Sequence, residues 1–198
     1  GKSSGPPDNT APIKERRQRM DNKRIFFISD LHLDQAPPTD LFTEWGHVVN
    51  KNDGVVILGN VATNNKTFWF SQIQKLPGDK VLFCGDLETN RIKWYHKFGF
   101  LGVVAFNESK ILPCNYGPVL VSHLPASESV ARIAGTKYRG LAHKLERIMD
   151  LNSCVLNIHG HTQGKGEDRH NMFDVSHRPD VSGPKLLNLA QILALKFS

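Results

Sequence analysis

From Arg24 onward, short apolar runs alternate with amphipathic stretches. Ile25-Phe26-Phe27-Ile28 stops at Ser29-Asp30, Val55-Val56-Ile57-Leu58 at Gly59-Asn60, and Val81-Leu82-Phe83-Cys84 at Gly85-Asp86. Four apolar residues in a row, ended by turn formers, predict a strand buried on both faces. Val103–Phe106, Val119–Val121 and Cys154–Ile158 predict three more strands, and Phe173–Val175 a short one. Between them, Leu41, Trp45, Val48 and Val49 recur at helical spacing after a Thr39 cap. Lys66–Lys75, Leu141–Met149 and a closing Leu186–Leu195 also read as helices. Strands alternating with helices predict an α/β architecture.

The polar residues sit where the strands stop. Ser29-Asp30, Gly59-Asn60, Gly85-Asp86, Ser122-His123 and Gly160-His161 each follow a predicted strand. In open α/β sheets ligands gather outside the carboxyl ends of the strands. Carboxylate, amide and imidazole on one edge make a metal-binding set. Other readings compete for single positions. Asp86 suits the N-cap of a following helix, and Asn60 suits a turn. His159 reads as a packing residue beside the site. His47, His96, His143, His170 and His177 read as surface or interface residues. Trp45, Phe68, Trp69, Phe70, Trp94 and Tyr95 fit core packing better than base stacking. The Ser/Ala/Gly-rich stretch 127–139, with Arg132, Lys137 and Arg139, reads as a rim loop, either a phosphate-contacting lid or plain surface.

Composition narrows the class. The chain has 198 residues, 39% of them hydrophobic, enough for one ordinary domain with a real core. No apolar run approaches the ~18–20 residues of a spanning helix, and no signal peptide opens the sequence. Cys84, Cys114 and Cys154 read as buried thiols in a reducing compartment, hence the cytoplasm. The net charge of +6 is uneven: residues 1–24 hold seven basic and three acidic groups, the rest eighteen and sixteen. The basic excess therefore describes a leader over residues 1–23 more than the domain over 24–198. That leader is either a solvated lead-in or an arm for RNA, DNA or an acidic partner.

Asp30-x-His32, Gly59-Asn60, Gly85-Asp86-Leu87-Glu88, Ser122-His123 and Gly160-His161-Thr162-Gln163 have the order and spacing of known motifs. In these the chain resembles the calcineurin-like metallophosphoesterases, and most of all the small phosphoesterases of bacteriophages and bacteria. The resemblance runs over roughly residues 24–195. It implies a four-layer sandwich of two mixed β-sheets flanked by helices. It also implies a site for two divalent ions about 3.5–4 Å apart that position a phosphate and stabilise in-line displacement. Carried over by position, one ion would fall to Asp30, His32 and Gln163. The other would fall to Asp86, His123 and His161, with Asn60 between the two. Mn2+ is the first choice, with Zn2+, Fe2+ or Ni2+ as alternatives.

Three departures from the family pattern change the expectation. The bridging Asp is Asn60, the His after Gly-Asn is Leu87, and the final His is Gln163. An amide offers one good oxygen and no charge, a poor bridge between two dications. Leucine cannot act as a general acid, a role worth about 10²–10⁴-fold in rate. We therefore expect one ion near His123 and His161 and a weak or empty second position. The expected function is hydrolysis of a phosphomonoester or phosphodiester, of nucleotide or nucleic-acid origin, with impaired chemistry. Two alternatives stand beside it: a degenerate member of the fold that binds a protein partner, and a nucleic-acid-associated protein that uses its basic arm. No membrane partner is expected.

Overall fold

The structure is a computed structural model. It describes residues 23–35, 39–132, 137–165, 169–178 and 186–198. Residues 1–22, nearly all of the basic leader, lie outside the described residues.

The chain begins with three βαβ crossovers. Strand β1 (Ile25–Ile28) is followed by α1 (Thr39–Val48), β2 (Gly54–Ile57), α2 (Lys66–Lys75), β3 (Asp79–Phe83), α3 (Ile92–His96) and β4 (Gly102–Val104). Then come β5 (Lys110–Leu112), β6 (Val119–Val121), α4 (Glu128–Ala131), α5 (Arg139–Leu151), β7 (Leu156–His159), β8 (Met172–Asp174), β9 (Leu187–Asn188) and α6 (Leu189–Phe197). One sheet has the order β4-β3-β2-β1-β9, the other β5-β6-β7-β8. Each mixes directions: β9 runs antiparallel to β1, and β5 antiparallel to β6.

The period-2 alternation of strand side chains assigns each strand residue to a layer. Phe26, Ile28, Val55, Ile57 and Leu82 face the outer core with Leu41, Trp45, Phe70 and Ile73 of the helices. Phe27, Val56, Leu58 and Phe83 face inward, against Val119, Val121, Leu156 and Ile158 of the other sheet. Leu120 points out again, onto Leu145 and Met149 of α5. The layers are thus helices, sheet, sheet and helix, the expected sandwich. Among the described residues no helix is long and apolar enough to cross a membrane.

Some elements differ from the sequence reading. The closing helix starts at Leu189, because Leu187 and Asn188 pair with β1 before Asn188 caps the helix in a capping box with Gln191. Strand β5 and helices α3 and α4 were not predicted. Lys110–Leu112 is too short and exposed to carry an alternating pattern. Of the cysteines, only Cys84 is buried, its thiol pushed up to about 12 by burial. Cys114 and Cys154 are half-buried.

Candidate metal centre

Strand register brings the polar strand ends together. Ile28 of β1 lies beside Ile57 of β2, and Ile57 beside Leu82 of β3. In the second sheet Val121 lies beside Ile158. The residues that follow all emerge on one edge. There the two sheets are stitched together: the Ser29 amide donates to the Val175 carbonyl at 3.1 Å, and the His177 amide donates to Ser29 at 2.7 Å.

The backbone at this edge is held in an unusual conformation. Asp30, His32, Asn60, His161 and Gln163 have φ of 54, 44, 57, 70 and 50°. The left-handed region costs a non-glycine residue about 1 kcal/mol or more, and such strain collects at functional sites. Two glycines allow the close approach. A Cβ on Gly59 (φ 84°) would stand 2.5 Å from the Gly85 amide nitrogen and 2.7 Å from His123 Nδ1. One on Gly160 would overlap the Ser29 hydroxyl and stand 2.7 Å from Asp30 Oδ2. Gly160→Ala is therefore expected to destabilise the protein by about 2–4 kcal/mol. That is a fall in Tm of about 5–15 °C in a thermal melt. An unchanged Tm would mean that the two strand ends are not in contact.

Asp86, His123 and His161 bring three ligand atoms within 4.8 Å of one another. Asp86 Oδ1 lies 3.4 Å from His123 Nε2 and 3.6 Å from His161 Nδ1. All three atoms are buried and lack a hydrogen-bond partner. The separations are long for hydrogen bonds. They match the spacing of two ligands on one tetrahedral ion, about 3.4 Å when each bond is about 2.1 Å. His123 is aimed by its other nitrogen, Nδ1, which meets the Leu58 carbonyl. A ring nitrogen fixed on a carbonyl turns its opposite nitrogen toward a metal. The His123 and His161 imidazoles hold the Asp86 carboxyl far below the usual range. Burial works to lower the His123 pKa, but Asp86, Asp30 and Glu88 outweigh it and the net shift is upward. No helix starts at Asp86, so it is not an N-cap; the next helix begins at Ile92 with Arg91 as its cap.

In the other half of the edge Asp30 and Asn60 are tied up by hydrogen bonds, while His32 Nδ1 is buried without a partner. Asp30 Oδ2 accepts from the Ser29 hydroxyl at 2.6 Å, the His161 amide at 2.7 Å and the Ser176 hydroxyl at 3.0 Å. Asp30 Oδ1 accepts from the Asn60 side-chain amide at 3.0 Å. The Asn60 oxygen is also taken, by the Leu87 amide at 3.2 Å. His32 Nε2 lies 3.2 Å from Gln163 Nε2 and 3.9 Å from Asp30 Oδ1. Asn60 thus ties Asp30 to the 86–87 peptide, and its NH2 occupies Asp30 Oδ1.

Glu88 and Asp174, to which the sequence reading gave no role, complete the site together with His159. Glu88 is buried and accepts the backbone amides of Asn60, Val61 and Gly85 at 2.8, 2.9 and 2.7 Å. Burial raises its pKa despite those three donors. Asp174 accepts from the Thr162 hydroxyl at 2.6 Å and the Gly164 amide at 2.7 Å, and shares the single Ser176 hydroxyl proton with Asp30, at 2.6 Å, which shapes the 161–164 loop. His159 is fully buried beside it and its pKa is lowered by burial. Asp30, Asp86, Glu88 and Asp174 are four carboxylates in one neighbourhood. Among the described residues Asp30 lies beside His32 and Asp86 beside His123 and His161, and no lysine or arginine pairs with any of the four. A buried cluster with this charge favours a cation.

Other expectations resolve as follows. Trp45, Phe70 and Tyr95 are fully buried core residues, while Phe68 is 53% exposed. His47, His96, His143 and His170 are exposed and His177 is half-buried. The stretch after Ser127 is not all loop: Ser127 caps α4 by accepting from the Val130 amide. Tyr138 comes within reach of the site, its ring 5.6 Å from that of His161 and 5.1 Å from that of Phe106. Residues 133–136 of that stretch lie outside the described residues.

No family model and no curated protein matches the chain. Solved structures do match. A protein of unknown function from Aquifex aeolicus superposes with a TM-score of 0.59 at 22% identity, over 78% of this chain and 90% of that one. A structure described as a novel archaeal phosphodiesterase gives a TM-score of 0.43 at 16% identity, over 69% and 72%. The first likeness establishes a shared fold for this two-sheet sandwich.

Proposed function

We propose that the protein is a phosphoester hydrolase that works with a single divalent cation held by Asp86, His123 and His161. The observation that carries this reading is the convergence of three buried, unpartnered ligand atoms at ion-ligand spacing. The five motifs in family order support the reaction class. The donor set of one carboxylate and two imidazoles suits Mn2+, with Zn2+, Fe2+ or Ni2+ as alternatives.

When bound, such a cation supplies Lewis-acid polarisation of a phosphoryl oxygen and a more acidic water. The chain's own residues do the rest. Leu58 holds the His123 ring in place, and Asp86 supplies the negative charge that attracts the cation. Asn60 on Asp30 and Gln163 beside His32 occupy this half with hydrogen bonds, so it orients groups and takes up no second ion. Leu87 moves no proton, so turnover is slow. A phosphomonoester or phosphodiester, nucleotide or nucleic acid included, fits this chemistry.

Hydrolysis of bis(p-nitrophenyl) phosphate and p-nitrophenyl phosphate with Mn2+ tests the proposal. The expected result is slow turnover that disappears with EDTA and returns with the ion. A rate equal to buffer alone would contradict it. That outcome would favour the second reading, a partner-binding protein, which the closed Asp30 half supports.

A further inference from the structure

We propose that Glu88 is the positioning residue of this metal centre, setting Asp86 and Asn60 in register by clamping two strand-end loops with one carboxylate. This role rests on the single-cation reading above and deepens it.

The two loops come from different strands. Asn60 and Val61 follow β2, and Gly85 and Asp86 follow β3. Glu88 Oε2 accepts from both loops at once, from the Asn60 amide at 2.8 Å and the Gly85 amide at 2.7 Å. Oε1 accepts the Val61 amide at 2.9 Å. Three charge-assisted bonds in a buried place fix these backbones far better than contacts with water would. The clamped peptides flank the ligands: Gly85 precedes Asp86, and the φ of Asn60 is 57°. The strained backbone at Asn60 persists because its amide is held. Glu88 is 6% exposed, so the three bonds are shielded from water.

Glutamine is the diagnostic substitution. It keeps the shape but replaces one acceptor oxygen with an NH2 group. In one orientation the NH2 faces Asn60 and Gly85, in the other Val61, so at least one of the three bonds is always lost. Cobalt(II) is the probe, because its visible spectrum reports coordination geometry. Glu88→Gln is expected to weaken cobalt affinity about 10–100-fold, the usual effect of losing a partner behind the ligands. The visible band is expected to change as Asp86 moves. Glu88→Asp keeps the charge but falls one methylene short, and its affinity should lie between the two.

Wild-type affinity and spectrum in folded Glu88→Gln, whatever its Tm, would overturn the role and leave the cation reading standing. No cobalt uptake by the wild-type protein would overturn both. If Glu88→Gln does not fold, Glu88→Asp decides by the same two readouts. If neither folds, amide hydrogen exchange of the wild-type protein decides. The Asn60, Val61 and Gly85 amides should slow further when cobalt is added, and unchanged exchange there would overturn the role.

Discussion

Combining Asn60→Asp, Asp86→Asn, Leu87→His and Gln163→His is expected to raise phosphodiester hydrolysis by orders of magnitude and to take up a second ion. The reason lies in the hydrogen bonds of the Asp30 half. The Asn60 NH2 now donates to Asp30 Oδ1 at 3.0 Å. A carboxylate at position 60 turns that attraction into repulsion between two buried anions, which only a cation relieves. Gln163→His adds an imidazole beside His32, where an amide nitrogen now lies 3.2 Å away. Leu87→His restores a proton donor, worth about 10²–10⁴-fold alone. Asn60→Asp alone should lower the Tm without metal and recover it with Mn2+. Two bound ions with no gain in rate would show that positions 60, 87 and 163 do not limit the chemistry.

The second large effect belongs to Asp86. Asp86→Ala removes the charged ligand and leaves two imidazoles, His123 and His161. Loss of a partner behind the ligands costs about 10–100-fold in affinity, and loss of the charged ligand itself should cost more than 100-fold. The metal-free fold should change little. Asp86 is 26% exposed, and its ligand-facing oxygen makes no hydrogen bond. Asp86→Asn keeps an oxygen donor without the charge and should lie between. Near-wild-type metal affinity in Asp86→Ala would move the ion elsewhere.

Much of this was legible in the sequence, for identifiable reasons. Strands β1, β2 and β3 are buried on both faces, so each reads as an unbroken apolar run with a polar end. The ends carry the candidate ligands, and Asp86, His123 and His161 are all chemically distinctive residue types. Asn60 was legible as a departure but not in its role, because which amide atom faces Asp30 depends on the Leu87 peptide twenty-seven residues away. Glu88 was hidden for a similar reason. A glutamate after a turn normally faces water, and only the folded register of β2 and β3 brings three backbone amides around it. Asp174 gave no signal either, since its partners lie in the 161–164 loop and at Ser176. Helix α4 was lost among small residues that read as loop.

The most direct measurement is the metal stoichiometry of the purified protein, by calorimetric titration with Mn2+ and elemental analysis of the loaded chain. The account predicts one ion per chain, removed by Asp86→Ala and unaffected by His32→Ala. No ion in the wild-type protein, or two held with equal affinity, would contradict it.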